Sequence, residues 1–282
     1  MALKAKDGWM NLPQSKNEEW NERFENRPPH VYVGICSFGD IPSEIYESHM
    51  LWALQQGARH FGKFAVSFGM SRRSEQYRAR NKLIRYAQQE GADFMLMIDD
   101  DQTLHDCPDI IDKFWELGQP IAGGLYYNRG GLYWPVVMKE FEGANGMKQA
   151  RFMSRDEIPT EPAPVDVLGG GCHWVDMEVF DKLKEPHFWP FPADDDGGPE
   201  VVYYPHPRYG LDIHFCMKAR ASGYECWLHP GVKLGHLKHE REVIDHDNIP
   251  SIDEVKSDER YQGYLSSVYG AESNGRADGV VK

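Results

Sequence analysis

Apolar runs and amphipathic stretches alternate along the chain. His30–Cys36 (HVYVGIC) is an unbroken β-rich run of the kind that forms a buried strand. Pro42-Ser43 then opens a helical stretch, with Ser43 as N-cap, that closes at Gly57. Lys63–Phe68 (KFAVSF) predicts a second strand. Tyr77–Gln89 carries apolar residues at Tyr77, Ile84 and Ala87 and stops at Gly91, which suits a helix with glycine at its C′ position. Ala92–Ile98 (ADFMLMI) is the strongest strand signal. Asp106 and Asp109 bracket Pro108 at the start of DIIDKFWELG, a helix entrance, and Pro120–Tyr127 predicts a further strand. The second half is less regular. It reads as a Gly-rich strand in LGGGCHWV, a short helix capped by Asp176, an aromatic and Pro/Gly-rich loop His187–Tyr209, a helix from about Asp212 to Gly223, and a final strand YECWL.

Strand and helix in strict alternation predict an α/β fold, a mostly parallel central sheet with helices on both faces, whose ligands belong at the C-terminal strand ends. Residues 30–245 form this body, one continuous domain or two halves sharing one sheet. Residues 1–29 are polar, end in Arg27-Pro28-Pro29 and read as an arm anchored by Trp9 and Trp20. Residues 246–282 read as a tail, partly disordered, ending in the Gly-rich AESNGRADGVVK.

With 41% hydrophobic residues and 8 Trp in 282 positions, the chain has too much core-forming material to be disordered. No apolar run approaches the ~20 residues of a membrane helix, and the N-terminus lacks a signal-type apolar region. The expectation is a cytoplasmic protein with no membrane insertion. Five scattered cysteines without a C-x-x-C pair argue for reduced thiols. The net charge of -13 weighs against tracking along nucleic-acid backbone. Nucleic acid then enters only as a local acceptor, while a bound nucleotide is allowed.

Candidate chemistry begins with Asp99-Asp100-Asp101, directly after the buried run FMLMI. Adjacent carboxylates repel, and a cation among them offsets the cost. In extended backbone Asp99 and Asp101 share one face and Asp100 points elsewhere, an arrangement that holds a divalent ion beside a diphosphate. A solvated turn or helix cap is the plainer reading. A second triplet, Asp194-Asp195-Asp196, sits in a Pro/Gly loop and reads as solvated.

The segment RYGLDIHFCMKARASGYECWLHPGVKLGHL (residues 208–237) has an acidic residue after Gly at a helix start, Phe three positions later, a basic helix, Gly-Tyr, a strand and a closing Gly-His. It resembles nucleotide-sugar glycosyltransferases of the GT-A fold, most of all the polypeptide N-acetylgalactosaminyltransferases and the family 2 enzymes. Three further blocks agree in order: Arg80-Asn81, MIDDD as a DXD motif, and LGGGCHWVDMEVF. The match spans roughly residues 30–240.

The resemblance implies a Rossmann-like GT-A sheet and a hexosyl- or N-acetylhexosaminyltransferase. It makes Asp101 a direct metal ligand, puts Asp99 near the metal and ribose, and supplies His236 as third ligand, with Mn²⁺ (or Mg²⁺) as cofactor. His239 competes with His236. Arg80 and Asn81 would face the diphosphate of a nucleotide-sugar donor, UDP-linked as the resemblance implies, with Ser37 and Asp100 beside it. Gly169, Gly170 and Gly171 would leave room for the sugar, with Trp174 walling the pocket; a β-bulge with a core Trp is the alternative. Asp212 matches the acceptor-activating base of inverting members, a sugar-hydroxyl partner of retaining ones, or a plain helix cap. Aromatic residues of the 187–209 loop, Trp189, Tyr204 and Tyr209 among them, would form an acceptor-side lid. The acceptor stays open between a glycan, a protein or small molecule, and a hydroxylated base. Two rivals stand beside this reading: a zinc hydrolase built from His236, His239 and the Asp triplet, and a non-catalytic nucleotide-sugar-binding protein.

Overall fold

The structure, a computed structural model, describes residues 12, 14–37, 39–104, 106–129, 133–142, 148–188, 211–237, 243–244, 252–257 and 259. Its elements in chain order are α1 (Glu18–Arg23), β1 (His30–Cys36), α2 (Ser43–Arg59), β2 (Ala65–Ser71), α3 (Gln76–Gln89), β3 (Phe94–Asp99), β4 (Gln102–Thr103), α4 (Ile110–Leu117) and β5 (Ile121–Leu125). Then follow β6 (Val137–Glu142), β7 (Lys148–Phe152), β8 (Ala163–Val165), β9 (Val167–Leu168), β10 (Cys172–Asp176), α5 (Met177–Lys182), α6 (Leu211–Ala221), β11 (Cys226–Lys233), β12 (Gly235–Leu237), β13 (Val243–Ile244) and α7 (Ile252–Ser257).

Seven strands form the central sheet in the order β2-β1-β3-β10-β5-β11-β8. β1 runs parallel to β2 and β3, and β11 parallel to β5, whereas β10 is antiparallel to both its neighbours and β8 to β11. The fold is therefore the mixed α/β, mostly parallel, Rossmann-like sheet that the alternation implied. Period-2 alternation builds both faces at once. In β3, Phe94, Leu96 and Ile98 enter one core with Trp52, Phe114 and Trp115 of α2 and α4, while Met95 and Met97 enter the other with Leu83, Phe180 and Phe215 of α3, α5 and α6.

Several local signals behave as read. Gly91 has φ +67, a left-handed conformation open to glycine, and it ends α3. The Asp176 carboxylate accepts the backbone N–H of Glu178 at the start of α5. Others differ. Ser43 does not cap α2: Pro42 holds the cap position without a side-chain bond, and the Ser43 hydroxyl donates to Glu44. α2 continues past Gly57 to Arg59, because an exposed helical glycine costs only about 1 kcal/mol, too little to end it. The hairpin of β6 and β7 and the small sheet β13-β12-β4 had no sequence signal.

The described part of the expected arm is integral to the core. Trp20 and Phe24 pack against Phe94 and Trp115, and the Trp20 indole N–H donates to Asp176 at 3.0 Å. Arg23 and Arg27 converge on Asp93, at 3.3 and 2.5 Å. Trp9 lies outside the described residues, as does most of 246–282. All five cysteines are buried and unbridged. Among the described residues no helix is long and apolar enough to cross a membrane.

Candidate active site

The parallel strands β1, β2, β3, β5 and β11 end along one edge of the sheet, where antiparallel β10 begins. That edge gathers Asp99 at the end of β3, the Gly169–Gly171 run ahead of β10, and Tyr126, Tyr127 and Arg129 after β5. Beyond Asp99 the backbone turns at Asp100 and Asp101 before β4, so the triplet is not the extended run expected. Asp99 and Asp101 consequently acquire different partners.

β4 and β12 bring Asp101 and His236 together. Gln102 stands opposite His236 in this antiparallel pair, and the Leu237 N–H donates to the Asp101 carbonyl at 2.8 Å. His236 Nε2 then lies 3.4 Å from Asp101 Oδ2. On the far side of the ring, Nδ1 is 2.6 Å from the Tyr127 carbonyl, which accepts only, so Nδ1 carries a proton. Burial alone raises the Asp101 pKa, but the hydrogen bond and charge of His236 and the Arg129 guanidinium, 3.0 Å away, outweigh it and hold the carboxyl below its ordinary value.

Asp99 belongs to a second cluster. Its oxygens lie 2.8 and 3.1 Å from Arg80 Nη2, while Arg80 Nη1 donates to the Gly170 carbonyl at 2.8 Å. Burial, only partly opposed by Arg80 and reinforced by Asp101, Asp212 and Asp100, pushes the Asp99 carboxyl up to about 7. Arg80 itself is 1% exposed, and its planar face lies over the Phe188 ring at 5.5 Å. The expectation that Arg80 faces a diphosphate is thus corrected: its fork is committed inside the protein. Asn81 is committed too. Its amide donates to the carbonyls of Tyr77 and Phe188 and accepts the backbone N–H groups of His187 and Phe188, which fixes the chain where the 187–209 segment begins.

Asp212, in the first turn of α6, completes this cluster at 3.8 Å from Arg80 Nη2. Its Oδ1 is buried without a hydrogen-bond partner. Gly170 explains how the pair is packed: a Cβ there would sit 2.3 Å from Asp212 Oδ1 and 2.4 Å from Arg80 Nη2. Gly171 meets the Tyr126 ring in the same way, and its N–H donates to the Tyr126 hydroxyl at 2.9 Å. On the Cβ side of Gly169, Gly170 and Gly171 the space is filled by Tyr126, Val136, Arg80, Asp212 and Gln102.

Trp174 does not wall a pocket. It is wholly buried and stacked between Phe94 and Phe114, because its position on β10 faces the aromatic core. Ser37 is also buried, its hydroxyl donating to the Gly39 carbonyl. Asp100 donates its backbone N–H to Cys36. Trp189, Tyr204, Tyr209, His239 and the 194–196 triplet lie outside the described residues. Of the expected lid only His187 and Phe188 are described, and both are core. Sequence reasoning missed Tyr126, Tyr127 and Arg129. Their signal was available, since YYNR closes the predicted strand Pro120–Tyr127 and runs on past it, at the C-terminal end that points to the ligand edge.

Among the described residues no group of three His, Cys, Asp or Glu side chains is placed to hold a metal ion. Asp101 and His236 form a two-residue donor set, the minority share that a divalent cation takes from protein when phosphates and water fill its other positions. A His whose Nδ1 is tied to a backbone carbonyl is also the usual oriented metal ligand. The residues present fit such an ion, with Asp99 behind them rather than among them.

No protein-family profile matches the chain, and no curated protein matches it. Among solved structures it is similar to A197 from STIV, at 14% identity over 79% of this chain and 97% of that one, with a TM-score of 0.48. It is also similar to HddC from Yersinia pseudotuberculosis complexed with GMP-PN, at 11% identity over 84% and 99% of the two chains, TM-score 0.34. A UDP-glucose pyrophosphorylase complexed with UDP-glucose is similar at 9% identity over 84% and 99%, TM-score 0.35.

Proposed function

We propose that the chain is a metal-dependent glycosyltransferase that moves a sugar from a nucleotide-diphosphate donor, UDP-linked in the first instance, to an acceptor hydroxyl. The observation that carries this reading is the Asp101–His236 pair, held at a strand-end edge with one imidazole nitrogen tied back and the other directed at the carboxylate. Asp101 and His236 would hold Mn²⁺ or Mg²⁺, which when bound neutralises charge on the departing diphosphate. Arg129, half-exposed on Asp101, is placed to exchange that carboxylate for phosphate oxygens.

Asp212 acts as the base. Its carboxylate takes the proton of the acceptor hydroxyl as that oxygen bonds to the anomeric carbon, and the electron pair of the breaking carbon–oxygen bond leaves on the diphosphate. This displacement inverts the anomeric centre. Arg80 touches neither substrate; it positions Asp99, Asp212 and the Gly170 carbonyl around one buried charge. The hydrolase alternative relies on His239, outside the described residues, and no described side chain replaces it as a third ligand.

Calorimetric titration of UDP with and without Mn²⁺ tests the reading, followed by donor turnover with a panel of nucleotide-sugars. Tight UDP binding only with the ion, and lost in Asp101→Ala, is the expected result. UDP affinity indifferent to Mn²⁺ would sink the assignment, and binding without any turnover would leave a nucleotide-sugar-binding protein.

A further inference from the structure

The exposed large hydrophobic side chains of the described structure all fall within one short stretch: Tyr46, Met50, Leu51 and Leu54 on α2, Phe61 just beyond it, and Phe68 on β2. Leu54 is 67% and Phe61 90% exposed, whereas Trp52 on the other side of α2 is buried. Tyr46, Met50 and Leu54 recur every four residues, so they form one stripe along the helix. Phe68, on the edge strand β2, is 43% exposed and meets the Trp52 ring edge-on at 6.3 Å. Together the six leave roughly 600 Å² of side-chain surface in water, at the top of what an ordinary monomer shows.

β2 adds a second, independent feature. It is the outermost strand of the seven-stranded sheet and pairs only with β1 among the described strands. Proteins guard such edges with charge, proline or a bulge. The sequence AVSFGMS has no charge and no proline, and its register with β1 is unbroken from Ala65 to Ser71. Among the described residues the outer edge of β2 carries none of these guards from Ala65 to Met70, while Ser71 at its end is buried.

We infer that the α2 stripe and the β2 edge form a homodimer interface in which a second copy of this chain joins its sheet to this one. A two-fold axis normal to the sheet sets β2 antiparallel to its copy and lays the two α2 helices antiparallel on the same face, so one operation satisfies both features. The charges agree with that direction. Glu44 and Glu47 lie at the start of α2 and Lys63 just beyond its end, so antiparallel packing brings the acidic start of one helix to the lysine of the other, while Arg59 stays paired with Asp112 of its own chain. The apolar positions agree as well, with Tyr46 meeting Phe61 of the copy and Met50 and Leu54 flanking the axis. The stripe and the edge backbone together approach the ~800 Å² per partner of a stable interface.

Light scattering coupled to size exclusion on the full chain, from about 0.1 to 100 μM, covers the affinities such an interface reaches. Twice the chain mass is expected. Leu54→Glu/Phe61→Glu should give the single-chain mass with an unchanged circular dichroism spectrum. Glu44→Lys and Lys63→Glu should each weaken the dimer by roughly 10-fold, and their combination should restore it. A single-chain mass throughout overturns the inference and assigns the surface to residues 261–282 or to another protein. A dimer indifferent to Leu54→Glu/Phe61→Glu overturns it equally.

Discussion

Gly170→Ala probes the site at its tightest contact. The added methyl would lie 2.3 Å from Asp212 Oδ1, 2.4 Å from Arg80 Nη2 and 2.7 Å from Arg80 Cζ. Arg80 cannot withdraw cheaply, because it is buried and bound to both Asp99 and the Gly170 carbonyl and must move with them. Gly170 is outside the left-handed region, so the effect is one of space alone. Overpacking at a site this closed costs about 1–3 kcal/mol. At about 2–4 °C per kcal/mol for a domain of this class, the melting temperature should fall by about 2–12 °C. Activity should suffer more than stability, because a displacement near 1 Å at a reacting group costs on the order of 10²-fold. Gly57→Ala is the control: nothing lies within 4 Å of its added Cβ, and removing a helical glycine should stabilise by about 0.5–1 kcal/mol. Thermal melts and donor turnover on both variants decide the matter. A Gly170→Ala protein with native melting temperature and native turnover would refute the packing of Asp212 against Arg80.

Asp101→Ala and His236→Ala should each remove Mn²⁺-dependent UDP binding while the melt without ligand stays close to wild type, since both groups lie at a strand-end edge rather than in the hydrophobic core; calorimetry reads the first and a thermal melt the second. Asp212→Asn should lower transfer by ~10²–10⁴ with donor affinity nearly unchanged, and a product with retained anomeric configuration by NMR would exclude the base role. Burial holds the His187 imidazole down at about 4, against an ordinary 6.5, with both ring nitrogens unpartnered. Its folded-state pKa is depressed, so its contribution to stability is complete above about 6.5 and is lost as pH falls towards 4. That amounts to about 3 kcal/mol at most. His187→Leu should flatten this part of the pH–stability curve in urea titrations, and an unaltered curve would show that His187 is not its source.

Elements whose apolar period matches their burial were legible in advance. β1 was read at its observed bounds, and β3, α3 and α6 within a few residues, because each presents a continuous apolar run or a glycine stop. The small strands β4 and β12 were not legible, since two or three residues carry no period, yet their pairing creates the Asp101–His236 contact. Motif reading picked out Asp99, Asp101, Asp212 and His236, which the fold brings to one edge, but it did not foresee the partners they meet there. Arg80-Asn81 marks the site, but what a guanidinium faces depends on burial, and here a buried carboxylate and a carbonyl claim it before any ligand does. Trp174 fails for the same reason: position parity in β10 points it into the aromatic core.

The two arginines of the site differ in one respect that decides which carboxylate can change partners. Arg80 is buried at 1% exposure, and separating it from Asp99 would leave two charges stranded in the interior, a cost of about 3–5 kcal/mol. Arg129 is 39% exposed, so water can solvate it as it leaves Asp101, and an ion pair of that kind is worth only about 0–1 kcal/mol. Asp101 is therefore the exchangeable carboxylate and Asp99 the fixed one. Exchange of Arg129 for a divalent ion at Asp101 would replace a single positive charge with a double one and free a guanidinium at the same edge, which adds positive charge where a diphosphate would lie. Asp99 cannot take part without unmaking the Arg80 cluster, and with it the position of Asp212. The first and last members of one acidic triplet are thus separated by the partners the fold supplies, and under the proposed function one would hold the base in place and the other would receive the ion.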